Sequence, residues 1–218
     1  MEQNKQRIVV KVGTSTLTHN SGALALWSME HLVRTLADLQ GMGHEVILVS
    51  SGAIAVGTAK LGLSERPKEL RMKQAAAAVG QCRMMHIYDK FFSEYNRSMA
   101  QILLTGDDVE DPERAEHLSN TFSALLEMGV IPVVNENDSV SSAEIETGRH
   151  KVLGDNDTLS AIVAELCRAD LLVLLSDIDG LYDADPKTHP EAKLLHQVTE
   201  LTPEILEMAG GAGSWRGT

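Results

Sequence analysis

A lysine interrupts a run of β-branched residues near the amino terminus, Ile8-Val9-Val10-Lys11-Val12, and a glycine with three hydroxyls follows at once, Gly13-Thr14-Ser15-Thr16. Similar chemistry recurs further along: Ser50-Ser51-Gly52-Ala53, then Asn135-Glu136-Asn137-Asp138, then Asp155-Asn156-Asp157, then Ser176-Asp177. Glycines and hydroxyls after a strand expose backbone N–H donors and let phosphate oxygens approach closely. An aspartate beside a lysine organises its charge around a transferring phosphoryl group, and asparagine amides suit a carboxylate or an ammonium group. Each piece also has a plainer reading. Gly-Ser turns are common for steric reasons, Lys11 could snorkel to the surface, and a helix start needs one capping residue. Capping accounts for one residue of Asp155-Asn156-Asp157 and leaves two unexplained.

The elements that must position these residues alternate. A strand is expected over 7–12, a helix over 28–41 with Leu32, Val33, Leu36 and Leu39 at helical spacing, and a second strand at EVILVS. The alanine- and methionine-rich segment 69–96 reads as a long helix in which Gly80 marks a kink or a close contact. QILLT (101–105) is a strand, GDDVEDPER a polar patch, 113–128 a helix, and VIPVVNEND a strand. A polar hairpin is expected over 139–152, a helix opening at LGDND, and a strand at LLVLLSD (171–177), the most hydrophobic in the chain. A short helix opens at Pro203, and the last residues read GGAGSWRGT. Apolar strands alternating with helices predict an α/β fold, a three-layer αβα sandwich around a mostly parallel sheet. In such sheets ligands bind beyond the carboxyl ends of the strands, where four of the five polar clusters fall, the fifth, Asp155-Asn156-Asp157, being at a helix start.

Composition narrows the chemistry. The 218 residues carry 19 basic and 31 acidic side chains, a net charge of −12, which argues against a nucleic-acid or anionic-membrane surface. An anionic ligand must then be met by a few local cations, backbone N–H groups and a bound metal ion. No apolar run is long enough to span a membrane and no signal peptide opens the chain, so a cytoplasmic location is expected. Cys82 and Cys167 lie far apart in helical segments and read as free thiols, and the histidines show no metal-ligand spacing. Neither G-x-x-x-x-G-K-[ST] nor a dinucleotide fingerprint is present.

Taken in order, KVGTS, SSGAIAVG, QILLT, PVVNEND, GDND and LLSDIDGLY resemble the amino acid kinase family over essentially the whole chain. KQAAAAVGQ (73–81) and YDADP (182–186) fit the branch that acts on glutamate at the head of proline biosynthesis. The resemblance implies one amino acid kinase domain over 1–218 and phosphorylation of the glutamate side-chain carboxylate by ATP with Mg2+, giving an acyl phosphate. It implies that Lys11 holds phosphates, Asp157 orients the lysines, and Gly13, Thr14, Ser176 and Asp177 line the nucleotide site. Ser51, Gly52 and Ala53, with Asp138 and Asn156, would hold glutamate, and no protein side chain would be a metal ligand. Proline is implied as a feedback inhibitor overlapping the glutamate pocket through the SSGA turn and residues 139–152, and a homo-oligomer is implied as well.

Two departures from the family pattern are visible. Members continue after the glycine-rich loop with GTGGMxTK, whose lysine meets the transferring phosphate, whereas this chain reads to Gly217-Thr218. The expectation is a domain shortened in its nucleotide half, without the RNA-binding-like domain that some members append. EIETGRHKVLGDND is also longer than the pattern between NEND and GDND. Two other functions fit the same residues: a noncatalytic glutamate- or proline-binding protein, and a different small-molecule kinase of this fold.

Overall fold

The computed structural model describes residues 5–140 and 156–208, in two compact units, Met1–Leu175 and Ser176–Thr218. The expected hairpin over 139–152, Asp155 and the glycine-rich end from 209 onward fall wholly or largely outside the described residues.

The first unit is built on five parallel strands in the order β3-β4-β2-β1-β5: β1 Arg7–Val12, β2 Glu45–Val49, β3 Met99–Leu104, β4 Ile131–Glu136 and β5 Leu171–Leu175. Strand side chains alternate between faces, so the continuous apolar run of β1 feeds two cores at once. Ile8, Val10 and Val12 face one core with Leu36 of α2 (Leu26–Gly41), Val56 of α3 (Ala53–Lys60) and Met84, Tyr88 and Phe92 of α4 (Leu70–Glu94). Val9 faces the other, with Phe122 and Leu126 of α6 (Pro112–Glu127) and Leu159 and Val163 of α7 (Asn156–Leu166). The result is the expected αβα sandwich. Lys11 shares the parity of Val9 and therefore belongs to the side that α7 covers.

Three details differ from the sequence reading. Thr14–Leu17 after β1 form a one-turn helix, α1. The polar patch GDDVEDPER is helical: α5 (Gly106–Glu110) begins where Asp108 accepts hydrogen bonds from the Thr105 N–H and hydroxyl at 2.8 and 2.6 Å. Asp111 then caps α6 by accepting from the N–H groups of Glu113 and Arg114, with Pro112 opening the helix. Finally, β5 is the most hydrophobic strand yet is poorly buried; Leu171 and Leu174 are 44% and 50% exposed, and among the described residues the strand pairs only with β1.

Gly80 marks a close contact. A Cβ there would lie 1.8 Å from the carbonyl oxygen of Ala53, and one at Gly57 would lie 1.7 Å from that of Ala76, so α3 and α4 cross with backbone touching backbone. That crossing fixes the start of α3, immediately after the SSGA turn.

In the second unit, Tyr182 bridges Leu194 in antiparallel fashion, and α8 (Pro203–Met208) follows Thr202.

Candidate active site

Lys11 leaves the end of β1 largely buried, and its Nζ lies 2.6 Å from Oδ1 of Asp157, in the first turn of α7. A Cβ on Gly13 would lie 3.7 Å from that Nζ, so the ammonium head sits over the glycine turn. The Asp157 carboxylate is half exposed, which leaves the pair open to solvent on one side.

The second turn leans on the first. Gly52 precedes α3 with φ +99°, a left-handed conformation that favours glycine, and an added Cβ would stand 3.2 Å from Cγ2 of Thr14. Glycine is therefore required twice at this position, for its backbone angle and for contact between KVGTS and SSGA. Ser50 and Ser51 are buried.

Asn156, the first residue of α7, joins these turns to β4. Its Nδ2 donates to the Ser50 carbonyl at 2.7 Å, to Ser51 Oγ at 2.6 Å and to Asn135 Oδ1 at 3.2 Å. Asn135 is buried, and its Nδ2 donates to Oε1 of Gln81 on α4 at 2.9 Å. The Ser50 hydroxyl shares a 3.0 Å hydrogen bond with the hydroxyl of the fully buried Tyr88, whose ionisation burial pushes far up. The Asn156 amide donors are thus engaged by protein acceptors, three oxygens converging on one nitrogen.

Asp138 follows β4 in a partly buried position. Burial pushes its carboxyl up to about 6, the negative charge of Glu136 adds to the rise, and Arg66 opposes it. The site thus contains one carboxylate paired with a lysine and another that titrates near neutrality.

Ser176 and Asp177 open the second unit. Ser176 Oγ accepts from the Ile178 N–H at 3.4 Å. Asp177 lies 3.1 Å from Lys187 Nζ, a hydrogen-bonded ion pair that holds its exposed carboxyl below the usual range. Among the described residues no three acidic, histidine or cysteine side chains converge to hold a metal, and no helix is long and apolar enough to cross a membrane.

Sequence reading missed Gln81, Tyr88 and the role of Asn135. A signal existed: Ala77, Gln81, Met84, Tyr88 and Phe92 form a helical stripe, and a glutamine on an otherwise apolar face needs a polar partner.

The amino acid kinase family model matches residues 6–214. The chain belongs to that family. Among curated relatives, the glutamate 5-kinase of Clostridium perfringens is 56% identical over 99% of this chain and 80% of its own length. That of Clostridium acetobutylicum is 54% identical over 99% and 78%. A glutamate 5-kinase of Caldanaerobacter subterraneus is 54% identical over 97% of this chain, which spans 55% of that longer protein. Solved structures of the same fold include a UMP kinase from Ureaplasma parvum, with TM-score 0.59 at 14% identity over 95% of this chain and 86% of that one. An isopentenyl phosphate kinase in a substrate complex gives TM-score 0.64 at 20% identity over 94% and 84%. At such low identity the likeness shows a shared fold and no more.

Proposed function

We propose that this protein transfers the γ-phosphoryl group of ATP to the side-chain carboxylate of glutamate. The observation that carries the reading is Lys11, held by Asp157 over a glycine turn at the carboxyl end of an interior strand, β1. Relatives at 54–56% identity with that activity in their names support the choice of acceptor. The family match spans residues of both units, which favours treating the chain as one amino acid kinase domain.

A carboxylate oxygen attacks the γ-phosphorus, the bond to the β-phosphate oxygen breaks, and ADP leaves with the electron pair. The nucleophile is ionised at neutral pH, so no general base is needed. Lys11 neutralises charge building on the transferring oxygens, and Asp157 holds the ammonium in place between turnovers. Gly13 and Thr14, with Ser176 and Asp177, are assigned to the nucleotide. Ser51, Gly52 and Ala53 are assigned to the carboxylate of glutamate, Asp138 to its ammonium group, and Asn156 to the same pocket through its hold on Ser51. Mg2+ would enter with ATP as part of the substrate and would help to neutralise phosphate charge.

Hydroxylamine trapping tests the reaction. A hydroxamate that requires both glutamate and ATP is the expected product, and ATP turnover without hydroxamate would exclude the carboxylate as acceptor. We also assign proline to a site overlapping that of glutamate. Competition in a calorimetric titration is expected, and simultaneous independent binding of both would refute the overlap.

A further inference from the structure

Asn156 faces three acceptors, and one of them, Oδ1 of Asn135, points toward it only in one orientation of the Asn135 amide. Rotating that amide by a half turn would set a donor against a donor. The orientation is fixed from the far side, where Asn135 Nδ2 donates to Gln81 Oε1 at 2.9 Å. Gln81 cannot rotate either without bringing its Nε2 against the same Nδ2. Its present orientation has a cost, since Nε2 is buried with no hydrogen-bond partner among the described residues. A buried donor without an acceptor destabilises a fold, and an apolar side chain of similar shape at that position would not carry the penalty.

We propose that Gln81 is a positioning residue for the phosphoryl-transfer site: its carboxamide oxygen sets the Asn135 amide, which orients Asn156 and so anchors the first turn of α7, where Asp157 pairs with Lys11. Four elements meet in this relay: α4 supplies Gln81, β4 supplies Asn135, α7 supplies Asn156 and Asp157, and the end of β2 supplies the Ser50 carbonyl. Its catalytic consequence rests on the function proposed above; the hydrogen-bond relay itself does not.

Gln81→Met removes the acceptor while keeping an unbranched helix-forming side chain, and Gln81→Glu keeps an acceptor facing Asn135. Three readouts apply to each: the melting temperature, the side-chain amide resonance of Asn156 (identified by its loss in Asn156→Asp), and hydroxamate formation. In Gln81→Met the expected results are a little-changed melting temperature, because the unpartnered Nε2 is removed while Nδ2 of Asn135 loses its acceptor, a shifted Asn156 resonance with faster solvent exchange, and kcat/KM for glutamate lower by about 10- to 100-fold. Gln81→Glu should restore the resonance and most of the activity. Should Gln81→Met fail to fold, Asn135→Asp tests the relay from the other side: the aspartate draws Nε2 of Gln81 as donor, the pair re-forms with reversed polarity, and the Asn156 resonance is retained. An Asn156 resonance unmoved by Gln81→Met, a glutamate variant no better than the methionine one, or loss of the resonance in Asn135→Asp would overturn the proposal. Wild-type protein that forms no hydroxamate would count against the proposed reaction, and the resonances would still decide the relay.

Discussion

At the carboxyl end of the sheet, β1, β2 and β4 hand over to buried amides and hydroxyls, whereas at the amino end β1, β2 and β5 are tied by charges. There Glu45 receives Lys5 at 2.6 Å and Arg7 at 2.7 Å, the Arg7 N–H donates to Asp170 at 2.7 Å, and the Arg7 guanidinium also reaches the Cys167 carbonyl. Ion pairs tolerate changes of angle, so they join strand ends without fixing any one group closely. Amide and hydroxyl bonds are directional, and a chain of them propagates orientation from α4 to the start of α7. The ion pair beyond β1, Lys11 with Asp157, stands on that oriented base. The contrast assigns reaction chemistry to one end of the sheet and strand assembly to the other.

The most severe test of that assignment is Lys11→Ala. Losing one cation that stabilises developing charge is expected to lower kcat by about 10²- to 10³-fold, by analogy with removal of one oxyanion donor. The urea midpoint should hold, because the Asp157 carboxylate left behind is half exposed and hydrates readily. An unaltered kcat would remove Lys11 from the mechanism.

A smaller effect is expected where the helices that carry the polar web touch. Gly80→Ala places a methyl 1.8 Å from the Ala53 carbonyl and 2.6 Å from the Gly57 nitrogen, so α3 must move away from α4. Overpacking of this kind costs about 1–3 kcal/mol. Because α3 begins directly after Ser51-Gly52, KM for glutamate should rise as well, more than KM for ATP. A stable variant with normal KM would show that the crossing does not position the turn.

Much of this was open to reading in the sequence. Apolar β-branched strands alternating with helices require a covered parallel sheet, and a lysine inside such a strand requires an anionic partner, which the structure supplies as Asp157. Motif order then led to the family. Direction was not legible: a glycine-hydroxyl turn shows that a donor exists, not where it points, so the inward use of the Asn156 amide could be seen only with Ser50, Ser51 and Asn135 in place. At β5 hydrophobicity and burial part company, because burial depends on neighbours that a strand's own composition does not contain. GDDVEDPER misled: its acidic residues mark helix starts at Asp108 and Asp111, and a polar count alone hides capping.

Asp138 sharpens the comparison through pH. Its carboxyl titrates near 6 because burial and Glu136 disfavour the charge more than Arg66 favours it. If the ionised form meets the ammonium group of glutamate, then at pH 5 only about a tenth of the free protein is competent, and affinity should fall by about tenfold per pH unit below that. The stability effect has the opposite sign. A carboxyl raised on folding disfavours the folded state as pH climbs from its unfolded value toward 6, so Asp138→Asn should stabilise the protein at pH 8 while weakening glutamate binding. Titrations at pH 5 and 8 with matched urea unfolding check both, and equal affinity at the two pH values would take Asp138 out of the pocket.

The smallest effect belongs to the amino end. Arg7→Met removes the Arg7–Glu45 pair but leaves Lys5 on the same carboxylate, and a partly exposed pair of this kind is worth about 1 kcal/mol or less. Burial raises the Glu45 carboxyl, yet the hydrogen bonds from Lys5 and Arg7 prevail and hold it below its ordinary value. Such a depressed acid stabilises the fold above its unfolded pKa and loses that contribution as pH falls through the folded value. The gap between wild type and Arg7→Met in urea should therefore be present at pH 7, narrow as pH falls and Glu45 protonates, and shrink in high salt. Turnover should be unchanged throughout, since the lost guanidinium contacts, to Glu45 and to the Cys167 carbonyl beyond the last turn of α7, lie apart from the amides and hydroxyls that hold its first turn. A fall in kcat as large as that of Lys11→Ala would mean that strand assembly at one end sets geometry at the other, and the separation between the two ends would fail.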